Sequence, residues 1–461
     1  MSISYKQFLI ELYQDHIDEA VAFYDQRLLR IEDDVADWMA PSFDDTRLEA
    51  HLDALVIGGA LALELAKDAA LEAEPGAIYV LVNVYCRYQQ LDALLDFIEE
   101  MDLEEEGTRQ AITLALMDQF PEPWVTPVQN LFKQPVKSPN ICGLFIPVLL
   151  KNHQFPEGFA FEPLLQSASS EQILSDPLPF IDAAGVIRDK SSRNVLASLV
   201  VQGEAKVKYA AFIALLRVGF HQVIGYTLHN VPADEQPTTA LMLGAPLDLF
   251  NAQVNIAQSD WTPSTVIQLM IGGVAEYIPQ LISALANEAL APVVAEALFI
   301  ITGERLTVSL FVEEEWVEDD LFADELVAFK EGKVPQRSDG MPYGEEVEEL
   351  IIDQDVWLAW WEEHHGRFVS GKRYRLGRLI SPVSLVKALA HPYLKESVRK
   401  MCFLELVVRY NAVGHFSEVD LVRCQQRFLR ELYQWAEQVE SSCVPGDWYF
   451  SGAVQPASLT Q

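Results

Sequence analysis

Apolar residues recur three and four positions apart along almost the whole chain, and that period restricts it to packed helices. Leu91, Leu94, Leu95 and Ile98 share one helical face, as do Ile278, Leu281, Ile282 and Leu285, with Glu276 and Gln280 off it. The alternation that marks strands is scarce, and residues 305–312 are its best short instance. Breakers such as Pro121, Pro135, Pro156 and Pro177 fall between the apolar runs and cut them to helices of roughly 10–16 residues.

One template returns four times: a Val or Thr, then apolar residues four and eight positions after it. It fits Thr108 with Ile112 and Leu116, and Val207 with Ala211 and Leu215. It also fits Val293 with Ala297 and Ile301, and Val398 with Cys402 and Leu406. The spacing between starts is a near-multiple of about 30 residues, the length of one helix pair. The pattern resembles the second helix of HEAT-like repeats. Residues 274–303 are its best single example, with Pro279 and Pro292 in the first turn of two helices and Gly303 as the stop. The expected fold class is all-α: a HEAT-like α-solenoid of antiparallel helix pairs, interrupted by an acidic insert. The expected divisions are an acidic helical region at 1–75, a repeat array at 76–303, the insert at 304–370, and further helices with a loose tail at 371–461.

Charge narrows the partners. Lys and Arg number 33 against 68 Asp and Glu, for a net charge of −35. Residues 1–110 carry 25 acids and 7 bases, and residues 313–363 carry 18 acids and 3 bases, so the rest is nearly neutral. Such a field opposes nucleic acid and anionic membranes. A basic protein partner suits it. The candidate partner-binding residues are Glu313, Glu314, Glu315, Asp319 and Asp320, with Trp357, Trp360 and Trp361 on one helical face. The tryptophans either anchor the partner or tie the insert back onto the array, and tying back is favoured because exposed they would invite aggregation.

Signs of chemistry are sparse. No GxSxG elbow, Walker loop or GxGxxG fingerprint is present. His364 and His365 are adjacent and so do not share a helix face, which argues against a metal pair. Lys372, Arg373 and Arg375 form the densest basic cluster, read as neutralising the acidic block rather than as an anion site. His51 reads as a packing residue. Five scattered cysteines without a CxxC pair read as free thiols. No apolar run approaches membrane-spanning length and the start lacks a signal-peptide pattern, so a bacterial cytoplasm is expected. No cofactor or metal is expected.

Residues 16–20 (His-Ile-Asp-Glu-Ala), Phe23, Arg27, residues 47–55 and Gly58 resemble the opening of an uncharacterised bacterial family of HEAT-like-repeat proteins. Residues 300–303, Trp361, Phe368, residues 371–374, Gly377 and residues 399–406 carry the resemblance further. Members of that family are commonly encoded beside type VI secretion genes. The resemblance implies a cytoplasmic adaptor or chaperone for a secreted effector, with the effector or a spike component as partner. Two alternatives stand beside this non-catalytic scaffold: an immunity protein neutralising a basic toxin, and an enzyme of lyase or glycosylase type on a HEAT-like frame.

Overall fold

The computed structural model describes residues 4–33, 37–72, 74–135, 138–167, 176–256, 261–314, 316–317, 321, 323–337 and 340–456. It is mostly helical, at 65%. The first helices are α1 (Tyr5–Glu32), α2 (Ser42–Ile57), α3 (Gly59–Ala70), α4 (Pro75–Tyr88), α5 (Leu91–Glu100), α6 (Glu106–Gln119), α7 (Val125–Leu131) and α8 (Pro139–Lys151). Next come α9 (Glu162–Ser167), α10 (Leu178–Val186), α11 (Arg193–Gln202), α12 (Ala205–Arg217), α13 (Val223–Asn230), α14 (Thr238–Gly244) and α15 (Leu247–Ile256). Then follow α16 (Pro263–Gly272), α17 (Ile278–Ala284), α18 (Ala291–Thr302), α19 (Ala323–Lys330) and α20 (Gln354–His364). The last are α21 (Pro382–Leu389), α22 (Glu396–Tyr410) and α23 (Val422–Glu440).

Two compact units divide the chain, one of residues 1–253 with 380–461, the other of residues 254–379. These limits differ from the compositional ones, because residues 304–370 fold together with 254–303 and 371–379.

In the first unit, alternate helices stack: α4 on α6, α6 on α8, α8 on α10, α10 on α12 and α12 on α14. The intervening helices cover them, with α11 touching α9, α12 and α13. Each occurrence of the sequence template begins at the third residue of its helix, in α6, α12, α18 and α22. All eight of its apolar positions, from Ile112 to Leu406, are fully buried. The template therefore marks the face on which helices meet.

The end of the first unit returns to its beginning. Residues 411–421 run without regular helix between α22 and α23, and with Val422 at the start of α23 they touch elements far back in sequence. Arg188 donates to Asn411 Oδ1 and to the Ala412 carbonyl, each at 3.1 Å. Lys151 Nζ pairs with Asp420 at 2.9 Å, Arg27 donates to the Val419 carbonyl, and the Val422 amide donates to Asp45 Oδ2 at 2.8 Å. Residues 444–456 are not the loose tail expected. Trp448, Tyr449 and Phe450 are buried, and the amides of Ser451 and Gly452 donate to the Val408 and Arg409 carbonyls.

In the second unit, α18 packs on α16 and α17, and α20 packs on α17. Gly303 closes α18 with a left-handed φ of 75°. An antiparallel ribbon made of β1 (Thr307–Glu313) and β2 (Gly344–Leu350) follows α18 in the chain and touches it through β2, in register from Thr307 opposite Leu350 to Glu313 opposite Gly344. Residues 305–312, the one strand-like run, thus lie almost wholly in a strand. Two-residue ribbons, β3 (Tyr374–Arg375) with β4 (Arg378–Leu379) and β5 (Tyr449–Phe450) with β6 (Ala453–Val454), complete the sheet structure of the described residues.

Candidate functional site

The second unit places the candidate residues in two settings. Glu313 ends β1 and Glu314 follows it, both exposed, with the Glu314 amide donating to the Tyr343 carbonyl at 2.9 Å. Glu315, Asp319 and Asp320 lie outside the described residues. The tryptophans sit on α20, whose first turn is capped by the Asp353 carboxylate accepting from the amides of Asp355 and Val356. Trp357 is 0% exposed and donates to the Ile351 carbonyl at 2.8 Å. Trp360 is 8% exposed and stacks on His364 at 4.9 Å. Trp361 is half-buried against Phe368, which in turn meets Tyr374. The three rings thus share an aromatic cluster within their unit, and Val356 on the same helix is the more exposed at 40%.

Ahead of that cluster the ribbon stands open. Val308, Leu310, Phe311 and Val312 are 42–47% exposed. The register puts Val308, Leu310 and Val312 on one face with Glu349, Val347 and Glu345. The other face carries Ser309, Phe311, Glu348 and Glu346. Glu348 pairs with Arg305 at 2.6 Å. These four glutamates of β2 were missed as site residues. Their stretch, Glu-Glu-Val-Glu-Glu-Leu, spaces its apolar residues three apart, and only pairing with β1 makes it a strand. The turn-rich residues 338–344 just before it were the available signal.

The basic cluster behaves differently from the expectation. Arg373 and Arg375 are fully buried. Arg373 donates to the carbonyls of Gly272 (2.7 Å) and Ile271 (3.0 Å), and Arg375 to those of Met270 (2.7 Å) and Ile271 (3.0 Å). Those carbonyls end α16, where helical partners run out and the dipole favours a cation. Close approach needs Gly273, at φ +66°, because a Cβ there would collide with the Tyr374 carbonyl oxygen. The two arginines therefore cap a helix.

The first unit holds a second set of charges. Arg27 is fully buried, pairs with Asp45 at 2.7 Å, and is kept charged against its burial by Asp118 and Asp45. Tyr79 donates to Asp118 at 2.8 Å, and burial raises the Asp118 carboxyl to about 6 despite Arg27 and Lys151. Further along, Arg217 pairs with Asp182 at 2.5 Å, while His415 Nε2 lies 3.7 Å from the same carboxylate. Burial works against the Asp182 charge, yet Arg217 and His415 hold its pKa below the ordinary value. A cleft of about 190 Å³ opens beside Lys151, His415, Asp420, Cys424, Glu431 and Trp435. Through Arg27, Lys151 and Asp182 these groups fasten residues 411–421 to α1, α8 and α10.

His51 makes a ring contact with Phe23, and its Nδ1 lies 3.1 Å from Nδ1 of His16. His364 and His365 direct Nδ1 to carbonyls of their own helix. Burial pushes the Cys86 thiol up, and that of Cys142 to about 12, so neither is a thiolate at neutral pH. Among the described residues no group of three or more His, Cys, Asp and Glu gathers as a metal site, and no helix is long and apolar enough to cross a membrane. Compared with known protein families, with curated proteins and with solved structures, the chain matches none.

Proposed function

We propose that the chain is a non-catalytic protein-binding scaffold, a HEAT-like α-solenoid that docks a basic protein partner through its acidic ribbon. The observation that carries this reading is the ribbon itself. Its apolar side chains stand nearly half exposed, framed by Glu313, Glu345, Glu346 and Glu349. An exposed apolar patch edged by one sign of charge is the chemistry of an interface. Alternate-helix stacking from α4 to α14 supports the solenoid part of the reading. Burial of Arg373 and Arg375 takes two bases of the densest basic cluster off the surface, which with the net charge of −35 favours a polypeptide partner over a phosphate backbone. The family resemblance supplies the context of a cytoplasmic adaptor for a basic secreted effector or spike component.

The test compares the wild-type chain with one in which Glu313, Glu314, Glu345, Glu346 and Glu349 are changed to lysine, each used to capture proteins from the native cell. Glu348 is spared because it holds Arg305. The scaffold reading expects a basic protein retained by the wild type and lost by the variant. Identical captures from both would refute it.

A further inference from the structure

A two-stranded ribbon is marginal in water by itself, and each of its strands has one edge with unpaired backbone groups. Beyond the β1–β2 ladder and its continuation at either end, no backbone hydrogen bond among the described residues reaches 345–349. The two edges differ in charge. β1 carries a single acid, Glu313, at its end, whereas β2 reads Gly-Glu-Glu-Val-Glu-Glu-Leu. Glu345 and Glu349 lie on one face of β2 and Glu346 and Glu348 on the other. A strand added beside β2 therefore meets glutamates on both of its faces, with Val347 in the middle. Like charges directly opposite destabilise such a pair, while opposite charges stabilise it. A second copy of this acidic chain is thus a poor occupant of that edge.

We infer that the outer edge of β2 accepts an extended Lys- and Arg-rich segment of the partner protein as a third strand. This rests on the reading that the ribbon docks a basic polypeptide, and adds how it does so. The order Glu-Glu-Val-Glu-Glu is the same in both directions, so its complement, two bases, one apolar residue and two bases, fits either parallel or antiparallel. Main-chain hydrogen bonds hold the segment, and the alternating side chains select it.

The full chain is titrated with a labelled, end-capped peptide, Thr-Lys-Lys-Val-Lys-Lys-Thr. A control peptide carries the same side chains with N-methyl groups on alternate amides, which keeps the charge and blocks strand pairing. Anisotropy reports binding, and hydrogen exchange reports protection of residues 344–350. Strand addition predicts saturable binding with slowed exchange at 344–350, and weakening by at least about tenfold on N-methylation, the loss of one or two hydrogen bonds. Glu346→Lys with Glu349→Lys is expected to abolish both signals while leaving the far-UV spectrum unchanged.

Equal binding of both peptides without added protection would overturn strand addition and leave acidic docking standing. Binding of neither peptide, with partner capture from cells still lost on charge reversal, would do the same. Concentration-dependent dimerisation of the chain alone, with protection of 344–350, would make a second copy the occupant and overturn the inference.

Discussion

Arg373 and Arg375 show how far a residue's neighbours in sequence differ from its neighbours in space. In sequence they follow an acidic block, and neutralising it was the simplest role for them. Their acceptors are carbonyls about 100 residues earlier, and no periodicity points from one to the other. Removing Arg375 takes the guanidinium donor from the Met270 carbonyl, while Ile271 keeps Arg373, at a cost of about 1–3 kcal/mol. Arg375→Met is therefore expected to lower the unfolding free energy of the second unit by that amount, read by urea titration of its tryptophan fluorescence. Arg375→Lys is expected not to restore it, since one ammonium cannot replace a planar fork. A loss near zero would remove these arginines from the account of the fold.

Asp118 makes a pH prediction. Its folded pKa of about 6 lies above the ordinary carboxyl value because of burial. On acidification the folded protein takes up this proton before the unfolded chain does. Stability at this site therefore rises as pH falls from about 7 to about 5, and is lost again as pH climbs through the folded value. Asp118→Asn removes the titration. The stability of the wild type relative to this variant is expected to grow by roughly 1 kcal/mol over that interval, measured by thermal unfolding at each pH.

Among elements, helices were legible and the ribbon was half legible. The four templates fall at the same position of four helices because burial on a stacked face demands small and apolar residues at fixed spacing. Their recurrence was visible in the letters alone. β1 was visible as well, through its alternation. β2 was hidden, because a strand exposed on both faces has no reason to alternate. The tryptophan face of α20 was legible as a face, and burial of two of its rings follows from packing on α17. Trp357→Ala is expected to destabilise the second unit by about 3–5 kcal/mol, the usual loss for a large buried ring. Trp361→Ala, half-buried, is expected to cost clearly less in the same unfolding assay. Equal losses would mean that the cluster shares its load evenly instead of resting on Trp357.

At the scale of the molecule, the sequence showed a helical body with one acidic excursion. It did not show that residues 411–421 and the start of α23 return to α1 and α2, because irregular segments carry no period and their partners are single charges. Lys151 with Asp420, and Arg27 with the Val419 carbonyl, bring residues about 270 and 390 apart into contact. They make the first unit more than a row of neighbour-only repeats. On the proposed scaffold reading, partner docking rests on the other unit and its charge. The most direct measurement is the association rate of the captured basic partner with the wild type and with the lysine-reversed ribbon, at low and at high salt. Electrostatic docking predicts a slower rate for the reversed chain in low salt, with the difference shrinking as salt screens the ribbon. An unchanged rate in low salt would contradict it and leave the glutamates of β1 and β2 as a solvated surface.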